Sequence, residues 1–409
     1  MTSHARLALV GGTKTLTTEA PPWPTFDDSD RRALLDVLES RVWGGYHPTV
    51  GELERSFAAF HGANHGIATA NGTVSLEIAL QAAGVAPGDE VIVPPITFVA
   101  SAAAILRIGA KPVFVDIHPG TLNIDLDAAK DAIAARSANG AHVRAIVAVH
   151  FAGLPVDMDQ LMALCGDHQL VLIEDCAHAH GAEWRGRKVG SFGSFGSFSF
   201  QASKNMTAGE GGMLTAIDPA IAERARGIVN QGRRTGGAWY DHVTLGTNAR
   251  LTGFQAALLL RQLERLPEVM ARKARSADRL RAGLAEIGGL SPLPGVIDPR
   301  VTAHGNHLFC VRVHPAAFEG VSRDVIVQAL NAEGLPASPG YPRPLYNNQV
   351  FKDHAHVVTP CPVAEELCRS VFWLPHNVLL GDDRWLDGVV TAIHKVRGGA
   401  DQLRSLARQ

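Results

Sequence analysis

The chain has 409 residues, 46% of them apolar, and 38 basic against 40 acidic side chains leave a net charge of −2. That length allows a large core and two or so domains, and the charge balance offers no basic face to nucleic acid or an anionic membrane. No apolar run reaches the roughly 20 residues of a membrane-spanning helix, and the N-terminal stretch lacks the apolar segment of a secretion signal. Cys165, Cys176, Cys310, Cys361 and Cys368 are scattered, in no CxxC pairing, and read as reduced thiols of a cytoplasmic protein. The histidines are dispersed in no HExxH or CxxC…H spacing, so no metal site is expected.

Residues 1–25, rich in Gly, Pro and Thr, read as an extended arm. Residues 28–40 carry helical periodicity, with Leu34, Leu35 and Leu38 apolar behind Asp and Ser cap residues. A loop over 43–48 precedes a helix over 52–61. A strand-like run over 65–70 then leads through Asn71-Gly72-Thr73 into a helix over 74–83. Strand, Asn-Gly-Thr and helix N-terminus form an anion cup of backbone N–H groups and a hydroxyl, although the same triplet also makes an ordinary turn and N-cap.

From residue 90 strands (90–93, 112–115, 145–150, 170–173) alternate with helices (98–108, 126–135, 158–165). This spacing predicts right-handed βαβ units and a mostly parallel sheet, and no GxGxxG follows the first strand to suggest a dinucleotide site. The last of these strands turns acidic at Glu174 and Asp175, at the end where open α/β sheets bind ligands. A Gly-Ser-Phe triplet repeat over 190–198 reads as a tight turn into a further strand. Phe198-Ser-Phe-Gln-Ala-Ser-Lys204 places a lysine just past that strand, with the glycine-rich 209–212 behind it. One sheet edge thus receives a carboxylate and an amine, the pair that pyridoxal 5'-phosphate (PLP) chemistry needs. Either residue alone favours the structural reading, a helix cap or a solvated lysine. Lys204 stands apart because it lies between an aromatic strand and a glycine turn rather than on a polar helix face.

A helix over 221–230, a polar loop over 233–247 and a long helix over 254–284 follow. From about residue 290 the texture changes to Pro/Gly-rich loops, a strand over 308–313 and helices over 322–333 and 383–406. The chain therefore divides into residues 1–260, the arm and a large PLP-binding domain, and residues 261–409, a connector helix and a smaller α+β domain.

Asp175-Cys-Ala-His178, Phe198-Ser199 with Lys204 closing the same segment, Gly209-Glu-Gly-Gly212, and Thr247-Asn-Ala-Arg250 followed by Gln255 carry a likeness. They resemble the PLP-dependent aminotransferases of sugar and aminocyclitol biosynthesis, the DegT/DnrJ/EryC/StrS group. The likeness runs from the arm to Trp373-Leu-Pro-His376 and implies an α/β protein of PLP-dependent transferase fold type I, the aspartate-aminotransferase-like fold. It implies Lys204 as the Schiff-base lysine and proton carrier and Asp175 as partner of the ring nitrogen. His178 stands where the family usually has glutamine, reaching toward the phenolic oxygen. Gly72, Thr73 and Ser199 are implied at the phosphate and Phe98 stacked on the ring. Asn248 is implied at the phosphate of a neighbouring subunit's cofactor, in a homodimer with shared sites. Arg250 is implied at the amino donor's carboxylate, by a bidentate fork. A surface ion pair for Arg250 and plain core for Phe98 are the structural alternatives. Relatives that dehydrate deoxysugars carry histidine in place of the lysine, so Lys204 argues for transamination, with ping-pong kinetics.

Residues 200–210, 340–346 and 373–376 are most similar to the branch that aminates keto-cyclitols such as scyllo-inosose from glutamine, with glutamate as the other donor considered. The 3-amino-5-hydroxybenzoate synthases and the nucleotide-sugar aminotransferases remain alternatives. The last would want several cations at the cleft mouth, for which Arg233, Arg234 and Arg343 are available. A neutral polyol ketone asks instead for hydroxyl-directed groups, and His178, His180, Tyr341, Tyr346 and His376 are the candidates, with packing an equal reading for the last two. Gln201 stands where many members have histidine. A non-catalytic PLP-binding regulator would lack the lysine or carry an added DNA-binding module, and none is visible.

Overall fold

The computed structural model describes residues 5–407. Its strands are β1 (His65–Thr69), β2 (Glu90–Val93), β3 (Lys111–Phe114), β4 (Val143–Val149) and β5 (Val171–Asp175), then a short hairpin of β6 (Glu183–Trp184) and β7 (Arg187–Lys188). There follow β8 (Phe195–Ser199), β9 (Gly212–Ala216), β10 (Leu290–Leu293), β11 (Val301–Ala303), β12 (Leu308–Val313), β13 (Val357–Val358) and β14 (Val371–Pro375). The main sheet has eight strands in the order β1-β9-β8-β5-β4-β2-β3-β13. β9 is antiparallel to both neighbours, and every other pairing in that sheet is parallel.

Alternation along the strands builds three layers. The helices are α1 (Asp28–Ser40), α2 (Pro48–His61), α3 (Gly72–Ala82), α4 (Ala100–Arg107), α5 (Leu126–Ala138), α6 (Met158–Asp167), α7 (Pro219–Val229) and α8 (Gly253–Ala285). Val91, Val93, Ala145, Val147 and Ile173 pack against α3, α4 and α7. The residues between them, Ile92, Ile146, Ala148 and Leu172, pack against α5 and α6 on the other face. Period-2 side-chain direction makes a strand with both faces covered read as one apolar run, and each fully buried Val or Ile contributes about 1.5–3 kcal/mol. The carboxyl ends of the parallel strands are left as the shared rim of the site.

The small domain is built from β10, β12 and β14 with α9 (Arg323–Ala332), α12 (Asp383–Gly398) and α13 (Ala400–Ala407); α10 (Gln349–Lys352) and α11 (Pro362–Ser370) precede β14. α8 joins the two cores: Leu259, Leu260, Leu263 and Leu266 lie in the large-domain core, and Ala277, Leu280 and Leu284 in the small-domain core. The division expected at residues 260/261 falls inside this helix. Its start is fixed by a capping box between Thr252 and Gln255, whose amide also donates to the Glu210 carbonyl at 2.7 Å.

Three expectations need correction. The N-terminal segment does not extend freely: Leu7 and Leu16 are buried in the small-domain core, and Glu333 accepts from the Ala8 and Thr15 backbone N–H groups at 2.8 and 3.0 Å. Residues 1–4 of that expected arm lie outside the described residues. The helix expected over 52–61 begins at Pro48, because proline suits the first helical position and His47 caps it. The helix expected over 383–406 is broken at Gly399, where a Cβ would come within 2.7 Å of Leu7 Cγ. Residues of the C-terminal half also complete the large domain, since β13 extends the sheet beyond β3 and Leu345 and Phe351 enter the core beside Phe114. No described helix is long and apolar enough to cross a membrane.

Candidate active site

Strand alternation sends the two acids that end β5 in opposite directions. Glu174 is fully buried and accepts the backbone N–H groups of Gly190, Phe192 and Gly193, each at 2.8 Å, so it folds the turn that enters β8. It also faces His150 Nε2 at 3.2 Å. His150, Glu174 and Cys176 lie within 4.8 Å of one another, but His150 Nδ1 is taken by the Val156 N–H and burial pushes the Cys176 thiol well up. With His150 Nδ1 and the Glu174 oxygens committed to backbone N–H groups, these residues serve the fold of the turn.

Asp175 points to the rim. Ser101 Oγ donates to its Oδ2 at 2.7 Å and the Ala177 N–H to its Oδ1 at 3.2 Å, while Thr97 Oγ1 lies 2.8 Å behind Ser101. Ser101 went unnoticed in the sequence. The signal was there, as the one hydroxyl in the alanine-rich first turns of α4.

Asp175 opens on a cavity of about 780 Å³ that also takes in Lys204, His178, Ser199, Phe98 and the first turn of α3. Burial lowers the Lys204 amine to about 8, with Asp175 pulling the other way. The α3 N-terminus is presented by Asn71, whose side chain accepts the Val74 N–H at 2.9 Å. A Cβ at Gly72 would come within 2.7 Å of Ser199 Cβ, so only glycine lets this turn approach the end of β8. Gly72, Thr73 and Ser199 thereby converge on one side of the cavity. Phe98 forms its wall and is 59% exposed there, so it is not plain core.

His178 is buried and its basicity falls well below the ordinary histidine range, first through burial and then through Lys204. Its Nδ1 accepts the Ala152 N–H at 3.3 Å, which leaves the proton of the neutral ring on Nε2. His307, which the sequence reading missed, stacks on it at 4.3 Å between centroids. Tyr341 lines the cavity edge-on to Trp373 at 5.2 Å, and burial raises its hydroxyl's pKa so that it stays a donor. Gln201 also lines the cavity, its carbonyl oxygen taken by Ser203 Oγ at 2.7 Å.

Other expected residues lie elsewhere. Tyr346 packs edge-on to Phe114 and donates to Glu365 at 3.2 Å, away from the cavity wall. His376 sits a layer behind the cavity, bonded to Lys273 and to the Ser203 carbonyl. His180 is buried near Phe198 and Phe200, and neither ring nitrogen has a partner among the described residues. Asn248 is exposed, and Arg250 donates to Asn230 Oδ1 at 3.0 Å beneath the Tyr46 ring. Neither reaches the cavity within one chain, nor do Arg233, Arg234 and Arg343.

These residues fit PLP. An amine of lowered basicity and an oriented carboxylate share one cavity, whose far side is a helix N-terminus and a hydroxyl of the kind that hold phosphate. The comparisons agree. A protein of Streptoalloteichus tenebrarius provisionally named L-glutamine:3-amino-2,3-dideoxy-scyllo-inosose aminotransferase is 41% identical over 99% of this chain and 100% of its own. An L-glutamine:2-deoxy-scyllo-inosose aminotransferase of the same organism is 36% identical over 98% of this chain and 99% of its own. The crystal structure of 3-amino-5-hydroxybenzoic acid synthase superposes with a TM-score of 0.85 at 36% identity, covering 96% of this chain and 99% of that one. The DegT/DnrJ/EryC1/StrS aminotransferase family matches residues 24–394, and this chain belongs to that family of PLP-dependent enzymes.

Proposed function

We propose that this aminotransferase moves the amino group of glutamine to a neutral keto-cyclitol of the scyllo-inosose type, in aminocyclitol biosynthesis. The observation that carries the acceptor class is the charge that one chain contributes to the cavity wall. Its lysine and arginine side chains are Lys204 and Arg107, and Arg107 is paired with Glu77 at 2.6 Å. A diphosphate-bearing acceptor would need several free cations there. Tyr341, His307 and Gln201 instead offer hydrogen bonds of the kind a polyol takes. The names of the relatives at 41% and 36% identity support the same donor and acceptor class.

When bound, PLP supplies an electron sink for the charge left on the donor's α-carbon. This chain's residues do the rest. Asp175, oriented by Ser101, presents a carboxylate that holds a proton on the ring nitrogen by opposite charge. Lys204 Nζ would hold the cofactor, and its free amine would take the α-proton and return it two atoms along. Gly72, Thr73 and Ser199 would hold the phosphate, Phe98 would cover the ring, and the His178 Nε2–H would be the donor for the phenolic oxygen.

Asn248 and Arg250 act from a second copy, at the neighbouring phosphate and at the donor carboxylate. The exposed Trp43, Tyr46, Trp239, Tyr240 and Leu245 on the surrounding loops support a homodimer. A steady-state matrix tests the reading: glutamine and glutamate as donors, scyllo-inosose, its 2-deoxy form and a keto nucleotide-sugar as acceptors. Highest kcat/KM with glutamine and an inosose is expected. A keto nucleotide-sugar well above both inososes refutes the cyclitol assignment, and no turnover with any pair leaves only cofactor binding.

A further inference from the structure

Lys273 lies on α8 and is 1% exposed. Its neighbours on the helix's buried stripe are Leu266, Ala277, Leu280 and Leu284, so an amine occupies a position that the pattern reserves for an apolar side chain. Burying a lysine costs several kcal/mol, and an apolar residue of similar volume would fill the position more cheaply. Burial alone carries its basicity well below the ordinary lysine range. The amine is a donor, and the structure provides two acceptors: Asn205 Oδ1 at 2.9 Å and His376 Nδ1 at 2.7 Å.

Both bonds lead to the residues flanking Lys204. With Nδ1 accepting, His376 carries its proton on Nε2 and donates it to the Ser203 carbonyl at 3.1 Å. Asn205, held by its oxygen, donates from Nδ2 to the Gly305 carbonyl at 2.6 Å. His307, two residues beyond Gly305, stacks between His376 at 5.6 Å and His178 at 4.3 Å. One amine therefore fixes the backbone before Lys204, the side chain after it, and the ring row that ends at His178.

We propose that Lys273 is a positioning residue: through His376 and Asn205 it sets the direction from which Lys204 enters the cavity. This rests on Lys204 being the amine that bonds the cofactor. Lys204 and the ionisable groups around it, Asp175, His178, His180, His307, Tyr341 and His376, lie on several separate stretches of the chain; burial keeps the four histidines well below their ordinary range and Tyr341 above its own. The pH midpoint of the loaded enzyme is therefore compared between variant and wild type rather than assigned to one group.

Two variants test the proposal in the cofactor-loaded enzyme. Lys273→Met fills the same volume without donors. His376→Phe keeps a ring between Trp23 and His307 but loses both bonds. For each, kcat, both KM values, the pH midpoint of the cofactor absorbance band without substrate, and the thermal midpoint are measured. Expected are a kcat lower by one to two orders of magnitude, as for a misplacement of about 1 Å, with KM values within about twofold. The absorbance midpoint moves by about one pH unit, equivalent to about 1.4 kcal/mol, and thermal stability is kept or raised. Wild-type kcat and absorbance midpoint in a folded variant, or a loss confined to thermal stability, overturns the proposal. If Lys273→Met does not fold, His376→Phe decides. Lys204→Ala is the control: if it stays active the underlying assignment fails, whereas a dead Lys204→Ala beside a normal Lys273→Met refutes this inference alone.

Discussion

Lys204 and Lys273 both lose basicity to burial, yet their surroundings differ in one respect that decides their chemistry. Lys204 lines the cavity and faces Asp175, and its amine has no hydrogen-bond partner among the described residues. Lys273 is sealed from the cavity, and its amine donates to Asn205 and to His376. A perturbed amine alone does not mark a catalytic lysine, since structural networks perturb it as well. Access to the cavity and freedom from hydrogen-bond partners distinguish a nucleophile from a strut.

The largest effect that would break this contrast comes from Lys204→Ala. Turnover is expected to fall by a factor on the order of 10⁴ or more, as for other residues that act as a unit with the reacting group, measured as product formed from glutamine and an inosose. A variant that keeps normal turnover would move the chemistry to another amine.

Next is Asp175→Asn, which keeps the contact with Ser101 and loses the charge. The cofactor should still bind while kcat falls on the order of 10³-fold, the scale of other preorganised catalytic electrostatics. Activity within a few-fold of wild type would make Asp175 a cap rather than the ring partner.

Arg250 extends the comparison to a second copy of the chain. Arg250→Ala should raise the donor KM on the order of 10²-fold, the scale of losing one partner of a desolvated charge pair. Mixing this variant with Lys204→Ala should restore about a quarter of wild-type activity, because half of randomly paired dimers then hold one intact site. No recovery on mixing would place Arg250 in its own chain's chemistry or on an idle surface.

The smallest effect is expected from Ser101→Ala. Removing one hydrogen bond to a charged carboxylate costs about 1.5–3 kcal/mol, so kcat should drop at least about tenfold with Asp175 still present. An unchanged kcat would show that the carboxylate needs no orienting partner.

What was legible in the sequence follows from distance along the chain. Asp175 could be read because it closes β5, and Lys204 because it follows closely on β8, since a strand end fixes which rim its neighbourhood occupies. The sheet could be read because its central strands are short apolar runs separated by helical patterns. Tyr346 and His376 were placed by the motifs around them, but a motif does not give the direction of a side chain: one turned to Glu365 and the other to Lys273. Ser101 and His307 depend on contacts across 74 and 129 positions, to Asp175 and His178; the local pattern marks Ser101 only as a lone hydroxyl among alanines and gives neither contact. Lys273, set in Ala-Arg-Lys-Ala-Arg, reads as a solvated stretch until its place on the stripe through Leu266 and Leu280 is noticed. The arm was misread because Gly and Pro mask the two leucines, Leu7 and Leu16, that clip it to the small domain.

The most direct test of the account is to find which lysine bonds the cofactor. The loaded enzyme is reduced with borohydride, digested, and the peptide carrying the added pyridoxyl mass is identified. The account predicts the label on Lys204, with Lys273 unmodified. A label on Lys273, or a loaded enzyme with no labelled lysine, would contradict it.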